Sequence, residues 1–366
     1  MMNKSSIIRW RVVAILAWGT AAQGAEVTAD LGGRIQVDGA LYDEDVAELG
    51  SGTEIRRARL FIEGEITEGW EYKSEFDFND GDVDPADVYV KYTGLPLGSI
   101  KIGHFKAPFG LEELTSSRFV TFMERAMISE FAPGRRIGVG YDATTGGLSF
   151  GAALFAQAAG DSNEDEGLGA GARVAYAFRP HDGTLIHVGL SGVYEEPEST
   201  DSDVVRLRAR PESHVTGTRL IDTGDIAGAQ SRTSVGLELA AVYGSLSAQA
   251  EYTRQSVDTE AGSFDFDGYY AYVSWFPGGE TRQYKNGKFD RTQAENAWEF
   301  GVRFSNLDLG DGVVAGGEED NVTFGANYYV NPYLRFMLNY VMVDADRGPV
   351  SDEPNILQAR LSLDFD

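Results

Sequence analysis

Regular alternation of apolar and polar side chains constrains the fold of this chain more than any other feature of its sequence. In residues 70–78, WEYKSEFDF, aromatic residues and one serine alternate with charged residues. In residues 355–365, NILQARLSLDF, leucine, alanine and phenylalanine alternate with polar residues. Because successive side chains of a β-strand point to opposite faces, a period of two predicts strands with one apolar and one polar face.

About sixteen such segments follow one another, and two classes of connection alternate between them. One class is short, as in TEG, TTGG and NP, which suits tight hairpin turns. The other class is longer and acidic, and comprises DEDVAELGSG, GDSNEDEG, DLGDGVVAGGEED and DADRGPVSDE. A closed barrel with short turns at one rim and longer loops at the other predicts this alternation. The segments start near residues 31, 53, 69, 85, 98, 136, 148, 169, 184, 232, 245, 266, 296, 319, 333 and 354.

The N-terminus predicts export. Residues 1–25 contain three cations, then the apolar run VVAILAWGTAA and small residues, as in a secretory signal peptide. We expect this segment to be cleaved and residues 26–366 to form one domain. No later run of 18 or more apolar residues occurs, which excludes a helical membrane protein unless the signal remains as an anchor. The chain has no cysteine, so packing and backbone pairing must stabilise it.

These features together predict an all-β protein, a 16-stranded antiparallel transmembrane β-barrel. Sixteen strands leave roughly 21 residues per strand and connection, whereas crossing a membrane takes about 9 to 11. A soluble β-sandwich or propeller also has a period of two. Export, the apolar aromatic face and the two classes of connection favour the membrane barrel, whose polar faces would line a water-filled lumen.

Three connections are too long for ordinary loops or turns. They are Lys106–Arg135 and Glu195–Ser231 among the longer class, and Pro277–Arg291 among the shorter class. Long loops without regular structure usually carry function. In a barrel we expect them to fold into the lumen and narrow it.

Clustered arginines stand out in a chain whose formal net charge is −26. In IRRARLFIEGEI, residues 55–66, strand alternation places Arg57 and Arg59 on the lumen face and Arg56 on the other face, near the mouth. A pair of arginines balanced by acids of the lumen is the alternative interpretation.

The second arginine cluster lies in the connection after residue 195. Arg206, Arg208 and Arg210 are spaced by two, so an extended backbone places them on one face, with Arg219 close behind. Like charges on one face repel unless anions or acids lie between them, which suits a ladder for passing anions. The alternative is a solvated loop edge paired with nearby acids, namely Asp201, Asp203 and Glu212.

The connection after residue 105 combines cations with hydroxyl groups. Lys106, Arg118 and Arg125 flank Ser116 and Ser117. Guanidinium groups and hydroxyls suit phosphate or carboxylate oxygens. The alternative is a packed short helix over residues 117–126, neutralised by Glu112, Glu113 and Glu124.

Enzyme chemistry has little support in the sequence. The four histidines show no metal-ligand spacing, and there is no glycine-rich phosphate loop before a helix and no GxSxG motif. We therefore expect a protein that is not an enzyme, with no catalytic residue, no metal and no cofactor, and with no nucleic-acid partner.

Four stretches resemble one family, the phosphate- and polyphosphate-selective porins O and P of Gram-negative outer membranes. IRRARLFIEGEITEGWEYKSEFDF is similar to its early strand pair, and IGHFKAPFGLEELTSSRFVTFMER to its constriction loop. RLRARP resembles its arginine ladder, and TRQYKNGKFD its inward-folded periplasmic turn. The similarity runs from about Gly32 to the C-terminus.

The resemblance implies a sixteen-stranded homotrimer in the bacterial outer membrane, surrounded by lipid and lipopolysaccharide. It assigns Arg56 and Arg57 to a central anion site, joined by Arg118. Arg59 and Pro108 depart from the family, since other members have an aromatic residue and an acid there. Both changes make the constriction more positive. The resemblance also adds Ser116 and Ser117 to the site and matches Arg206, Arg208 and Arg210 to the ladder.

The expected function is passive, anion-selective diffusion, with phosphate or polyphosphate as the preferred ligand, through an arginine-lined constriction. Two alternatives remain open at this point. One is a general porin whose arginines only shape a field opposite its acids. The other is a structural or adhesive barrel whose acidic loops bind divalent cations or partners. Sulfate and organic acids also remain candidate anions.

Overall fold

A computed structural model of the chain describes residues 27–79, 81–159, 167–197 and 204–366. The predicted signal peptide lies outside the described residues, as do most of the acidic segment GDSNEDEG and the acids Asp201 and Asp203. In the described part, no helix is long and apolar enough to cross a membrane.

Sixteen long antiparallel strands form one closed sheet, which confirms the predicted fold class. Each strand pairs with its neighbours in sequence, and the last pairs with the first. Closure matters because it leaves no unpaired strand edge in the membrane. The strands are β1 (Asp30–Asp43), β2 (Gly52–Thr67), β3 (Trp70–Asp77), β4 (Asp84–Tyr92), β5 (Ser99–Lys106), β6 (Arg135–Thr145), β7 (Leu148–Phe155), β8 (Gly169–Phe178), β9 (Thr184–Glu195), β10 (Ala229–Tyr243), β11 (Leu246–Thr259), β12 (Gly262–Trp275), β13 (Ala297–Asp311), β14 (Val314–Asn331), β15 (Leu334–Arg347) and β16 (Asn355–Phe365).

The barrel is apolar outside and polar inside. In β16, Leu357 and Phe365 are exposed, whereas Gln358, Arg360 and Asp364 on the opposite face are buried. A soluble protein would show the reverse pattern. Lipid outside and a polar lumen inside account for it.

Two predicted acidic loops are mostly strand. In DLGDGVVAGGEED, residues 308–320, the ladder between β13 and β14 continues to a two-residue turn. Leu307 and Leu309 of this hairpin are fully buried against inward-folded loops. Their burial stabilises the extended hairpin, and β14 therefore starts five residues before the predicted position. In DADRGPVSDE, the end of β15 pairs with a short strand, Val350–Asp352.

Three connections fold inward, as predicted. The constriction loop, residues 107–134, contains a single helical turn, α1 (Leu111–Leu114), and a 3-10 turn, Met127–Phe131. The outer inward loop, described over 204–228, forms two small hairpins, in which Val204–Val205 pairs with Ile226–Ala227 and Arg208–Ala209 with Ile221–Asp222. The periplasmic turn, residues 276–296, forms one small hairpin, Gln283–Lys285 with Lys288–Asp290.

The considered helix over residues 117–126 is not formed. Side chains of the barrel wall bond the backbone of this segment instead. Arg335 Nη1 donates to Val120 O over 2.9 Å, and Asn327 Nδ2 donates to Thr121 O over 2.8 Å. Arg360 Nη1 donates to Met123 O. These bonds hold the segment against the wall in a non-helical conformation.

Aromatic packing completes the seat of the constriction loop. Phe122 is fully buried and meets the ring of Tyr272 edge to face at 5.4 Å. The same ring lies over Gly301 and Gly325, where an added Cβ would come within 3.1 and 3.0 Å of it. The absence of side chains at these glycines lets the loop approach the sheet closely.

The loop divides the barrel into two walls. The packed wall, β9–β16, lies behind the constriction loop and bonds it. The open wall, β1–β8, also bonds the loop, through Arg34, Gln36 and Arg56, but most of its inward residues face the remaining space of the lumen. The open wall contains the shortest strands, since β3, β4, β5 and β7 have 8 or 9 residues. Strands β10–β15 of the packed wall have 14 to 18 residues.

Candidate functional site: the cationic lumen

The lumen beside the open wall is strongly cationic. It forms a cavity of about 870 Å³, the lumen cavity, which reaches from the constriction loop to the periplasmic turn. Fourteen Lys or Arg residues line it, against five Asp or Glu residues. The cations are Arg34, Arg56, Arg57, Arg59, Lys73, Lys91, Lys101, Lys106, Arg118, Arg125, Arg135, Arg173, Lys285 and Lys288. The acids are Glu75, Asp87, Glu113, Asp142 and Asp290.

A β-bulge corrects the predicted orientation of Arg56. The register between β1 and β2 pairs Gln36 with Arg57 and Val37 with Ile55, so Arg56 is the extra residue. A bulge shifts the alternation of side chains by one. Arg56 and Arg57 therefore both line the lumen, and the assignment of Arg56 to the other face was wrong.

Arg56 and Arg59 are both paired with acids. Arg56 Nε and Nη2 donate to the two carboxylate oxygens of Glu124 over 2.9 and 3.0 Å. Arg59 pairs with Asp77 and, over 3.6 Å, with Glu75. The additional charge of Arg59 thus comes with neighbouring carboxylates on β3.

A smaller cavity adjoins the lumen cavity. The outer cavity, about 180 Å³, lies between the constriction loop and the outer inward loop. Five residues line both cavities, and we call them the pinch. They are Arg56, Arg57, Glu113, Ser117 and Arg125.

One acid neutralises part of the constriction loop. Glu113 pairs with Lys106 Nζ over 2.6 Å and with Arg125 Nε over 3.4 Å. Burial alone would raise the pKa of the Glu113 carboxyl, but the charges of Arg125 and Lys106 outweigh it and lower the pKa to about 2. The Glu113 carboxyl is therefore ionised at any physiological pH. Arg125 also donates to the carbonyl oxygens of Glu112 and Thr115, which fixes the turn of the loop.

The two serines lie beside arginines, as the predicted site requires. Ser117 Oγ accepts a bond of 2.6 Å from Arg34 Nη1, and Ser116 Oγ accepts from Arg118 over 3.4 Å. Arg118 lines the lumen cavity, and its Nη1 lies 3.3 Å from Asp366 Oδ2. Arg34 was not among the predicted site residues, although its alternation with Gln36 and Asp38 is visible in the sequence.

The four predicted arginines of the outer inward loop divide into two groups. Arg206 forms a two-bond ion pair with Asp222, at 2.8 and 2.6 Å, and its charge is neutralised there. Arg208, Arg210 and Arg219 lie together. Burial and the charges of Arg210 and Arg208 lower the pKa of Arg219.

Of the acids considered as partners, Glu212 is not free for this cluster. Glu212 faces the packed wall, where it bonds Arg303, Ser305 and Thr323. Glu130 of the constriction loop faces Arg208, Arg210 and Arg219, and burial raises its pKa although these three arginines oppose the effect. Arg210 lines the outer cavity, so part of the cluster borders the approach to the pinch.

Several lining cations were missed at the sequence level. Lys285 and Lys288 lie on the periplasmic turn, and Arg173 donates over 2.8 Å to Gly287 O of the same turn. The inward fold of that turn was expected, but it alone did not show which wall the two lysines face. Lys73 stands at a lumen-facing position of β3, so the alternation itself was the signal for it.

Metal chemistry has no site in the described part of the chain, where no group of three or more His, Cys, Asp or Glu side chains could hold an ion. Of the predicted residues, the fold brings Arg56, Arg57, Arg59, Lys106, Ser116, Ser117, Arg118 and Arg125 to one cavity. Arg206, Arg208, Arg210 and Arg219 lie on the outer inward loop, above the pinch.

Known proteins resemble this chain in both sequence and fold. Residues 30–365 match the family described as phosphate-selective porin O and P. Porin O of Pseudomonas aeruginosa is 30% identical over 376 residues, which cover 89% of this chain and 85% of that protein. A protein of Caulobacter vibrioides is 31% identical over 365 residues, which cover 91% of this chain and 73% of that protein.

Solved porins support the fold at low sequence identity. The anion-selective porin from Comamonas acidovorans has a TM-score of 0.61 at 13% identity, covering 93% of this chain and all of that one. The trimer form of OmpT from Vibrio cholerae has a TM-score of 0.59 at 14% identity, covering 93% of this chain and 99% of that one. The family match, the closed barrel and the polar lumen all indicate a porin. The chain belongs to the phosphate-selective porin O and P family and is an outer-membrane porin, a channel rather than an enzyme.

Proposed function

We propose that this porin passes small anions, phosphate first, from the outer cavity through the pinch into the lumen cavity. The observation that carries the proposal is the excess of cations around the lumen cavity in a chain of net charge −26. Concentrated positive charge at the narrowest part of a pore attracts anions and repels cations. The family description and the name of the Comamonas porin point the same way.

The proposed path has three stages. Arg208, Arg210 and Arg219 collect anions at the outer mouth. At the pinch, Arg56, Arg57 and Arg125 replace hydration water, and Ser117 contributes a hydroxyl. Beyond it, further cations of the lumen cavity carry the anion to the periplasmic turn. They are Arg34, Arg59, Lys101 and Lys106 of the open wall, Arg118 of the constriction loop with Ser116 beside it, and Lys285 and Lys288 of the turn.

Release requires several weak sites instead of one tight one. A contact at about 4 Å with an effective dielectric of about 20 is worth of the order of 4 kcal/mol before desolvation. Carboxylates that already pair with Arg56, Arg59 and Lys106 reduce this attraction at each stage. An anion can then step from one cation to the next without being trapped.

Bilayer recordings of purified protein test this proposal. We expect reversal potentials in a potassium chloride gradient to have the anion-selective sign, and phosphate to block the chloride current. Cation preference would contradict the proposal. Weak selectivity without phosphate block would favour a general porin, and absence of conductance a structural barrel. Pyrophosphate, sulfate and succinate in the same blocking assay would rank the anions.

We also propose a homotrimer in contact with outer-membrane lipid and lipopolysaccharide. The short strands of the open wall support this assembly, because a low wall would be sheltered at a threefold axis, and OmpT of Vibrio cholerae is named as a trimer. Light scattering in detergent should give three chain masses, and a single chain mass would contradict it. Mass spectrometry of the mature protein tests the proposed cleavage after residues 1–25, which would leave residues 26–366 as the porin domain.

A further inference from the structure

We propose that Gln36 determines the selectivity of the pinch, because its neutral amide holds Arg57 in place and leaves the charge of that guanidinium available to anions. The inference rests on the proposed function and names a residue outside the predicted site. It follows from a contrast between Arg57 and the arginines that surround it.

Both polar atoms of the Gln36 side chain form hydrogen bonds. Its side chain is fully buried on β1, directly opposite Arg57 in the register. Its Oε1 accepts a bond of 2.9 Å from Arg57 Nη1. Its Nε2 donates to Ser362 Oγ over 3.2 Å and to Ser117 O over 3.4 Å. The amide therefore links Arg57 to the constriction loop and to β16.

The neighbouring arginines have carboxylates where Arg57 has this amide. Arg34, two residues before Gln36, pairs with Glu75 at 2.6 Å. Arg56 pairs with Glu124 at 2.9 Å, and Arg59 pairs with Asp77. On β16, Arg360 pairs at 2.6 Å with Asp38, two residues after Gln36.

Arg57 is the exception among these residues. In the part of the chain that the structure describes, it forms no ion pair, and Gln36 is its single hydrogen-bond acceptor. Its side chain is only 6% exposed, yet it lines both cavities. A guanidinium has five N–H donors, so most of those of Arg57 have no acceptor among the residues that the structure describes.

Stability alone would favour a carboxylate at position 36. A buried charge without a directly paired carboxylate is costly, and the charges of Arg56, Arg59 and Arg360 add repulsion, which the charge of Glu124 opposes. Glutamate has the same shape as glutamine and would pair with Arg57. It would also occupy the guanidinium permanently, so that every passing anion would have to displace it. The neutral amide positions Arg57 and leaves it for the transported anion.

The test compares Gln36→Glu with Gln36→Met in bilayer recordings. Gln36→Glu adds a charge and keeps the shape, whereas Gln36→Met removes the hydrogen bonds without adding a charge. We expect Gln36→Glu to weaken phosphate block about tenfold, as one charge-assisted contact implies, and to shift the reversal potential toward zero. Gln36→Met should leave the reversal potential near that of the wild type and weaken block only two- to threefold.

A reciprocal variant keeps the inference testable if Gln36→Glu fails to insert. Glu124→Gln gives Arg56 an amide partner, as Arg57 has, while Arg360 keeps Asp38. Phosphate block should become severalfold tighter. Unchanged or weaker block in Glu124→Gln, or equal losses in Gln36→Glu and Gln36→Met, would overturn the inference. A wild-type channel without anion selectivity would instead refute the proposed function itself.

Discussion

The open wall and the packed wall follow the same rule of alternation but use their inward side chains differently. On the open wall, cations such as Arg57, Arg59 and Lys101 line the lumen cavity. On the packed wall, Glu251, Arg335 and Arg360 bond the backbone of the constriction loop. Charge on the packed wall therefore holds the loop, whereas charge on the open wall is divided: Arg34 and Lys106 also bond the loop, and other cations only line the lumen cavity. We expect a lumen-facing residue to take part in transport only where the loop leaves it uncovered.

Reversing one charge on the open wall should have the largest effect. In Arg57→Glu, an attractive contact of the order of 4 kcal/mol becomes repulsive at the pinch. We expect loss of anion selectivity and at least tenfold weaker phosphate block, measured by reversal potentials and chloride currents. Arg254→Glu is the matched control, because Arg254 is more than half exposed and lines neither cavity. Equal effects of both variants would contradict the assignment of Arg57.

Removing an anchor on the packed wall should loosen the loop without changing the open wall. Glu251 accepts bonds of 2.7 Å from the backbone N–H groups of Leu111 and Glu112. Glu251→Ala should cost about 3 kcal/mol of stability and raise single-channel conductance. Thermal unfolding and hydrogen exchange at residues 111–112 measure the effect. Glu260→Ala, in an exposed turn, is the control, and unchanged exchange in Glu251→Ala would argue against the anchor.

The periplasmic turn, which lines the far end of the lumen cavity, should contribute less to anion passage than the pinch. Lys288 lines the lumen cavity and forms no ion pair with any residue that the structure describes. Lys288→Gln should lower anion conductance about twofold in 0.1 M salt and have no effect in 1 M salt, where the Debye length is about 3 Å. A reduction that persists in 1 M salt would indicate a steric effect instead of an electrostatic one.

The smallest expected effect concerns the ion pairs that Glu113 forms with Lys106 and Arg125. Because the folded pKa is about 2, below the ordinary value of 4.5, the ion pairs stabilise the loop fully above about pH 4.5. Their contribution is lost as the pH falls toward 2. The difference in melting temperature between wild type and Glu113→Gln should therefore be constant from pH 8 to 5 and shrink below that. A difference that varies between pH 8 and 5 would contradict this assignment.

Strand positions were predictable to a few residues because each strand shows its lipid face in the sequence. The β5 and β7 starts were expected at residues 98 and 148 and lie at 99 and 148. The predicted start of β14 was five residues too late, because burial under a distant loop holds the first residues of this strand. The orientation of Arg56 failed because a bulge depends on the partner strand, and one strand alone cannot show it.

The sequence alone determined the barrel, its strand phase and the cationic composition of its inward faces, since alternation and turn chemistry act over neighbouring residues. Only the tertiary structure decided which of those cations stay free. The carboxylates of Glu75, Glu113 and Glu124, and the amide of Gln36, reach their arginines across strands or from an inserted loop. Such contacts join residues far apart in the chain, and their distances depend on how the closed sheet and its loops pack.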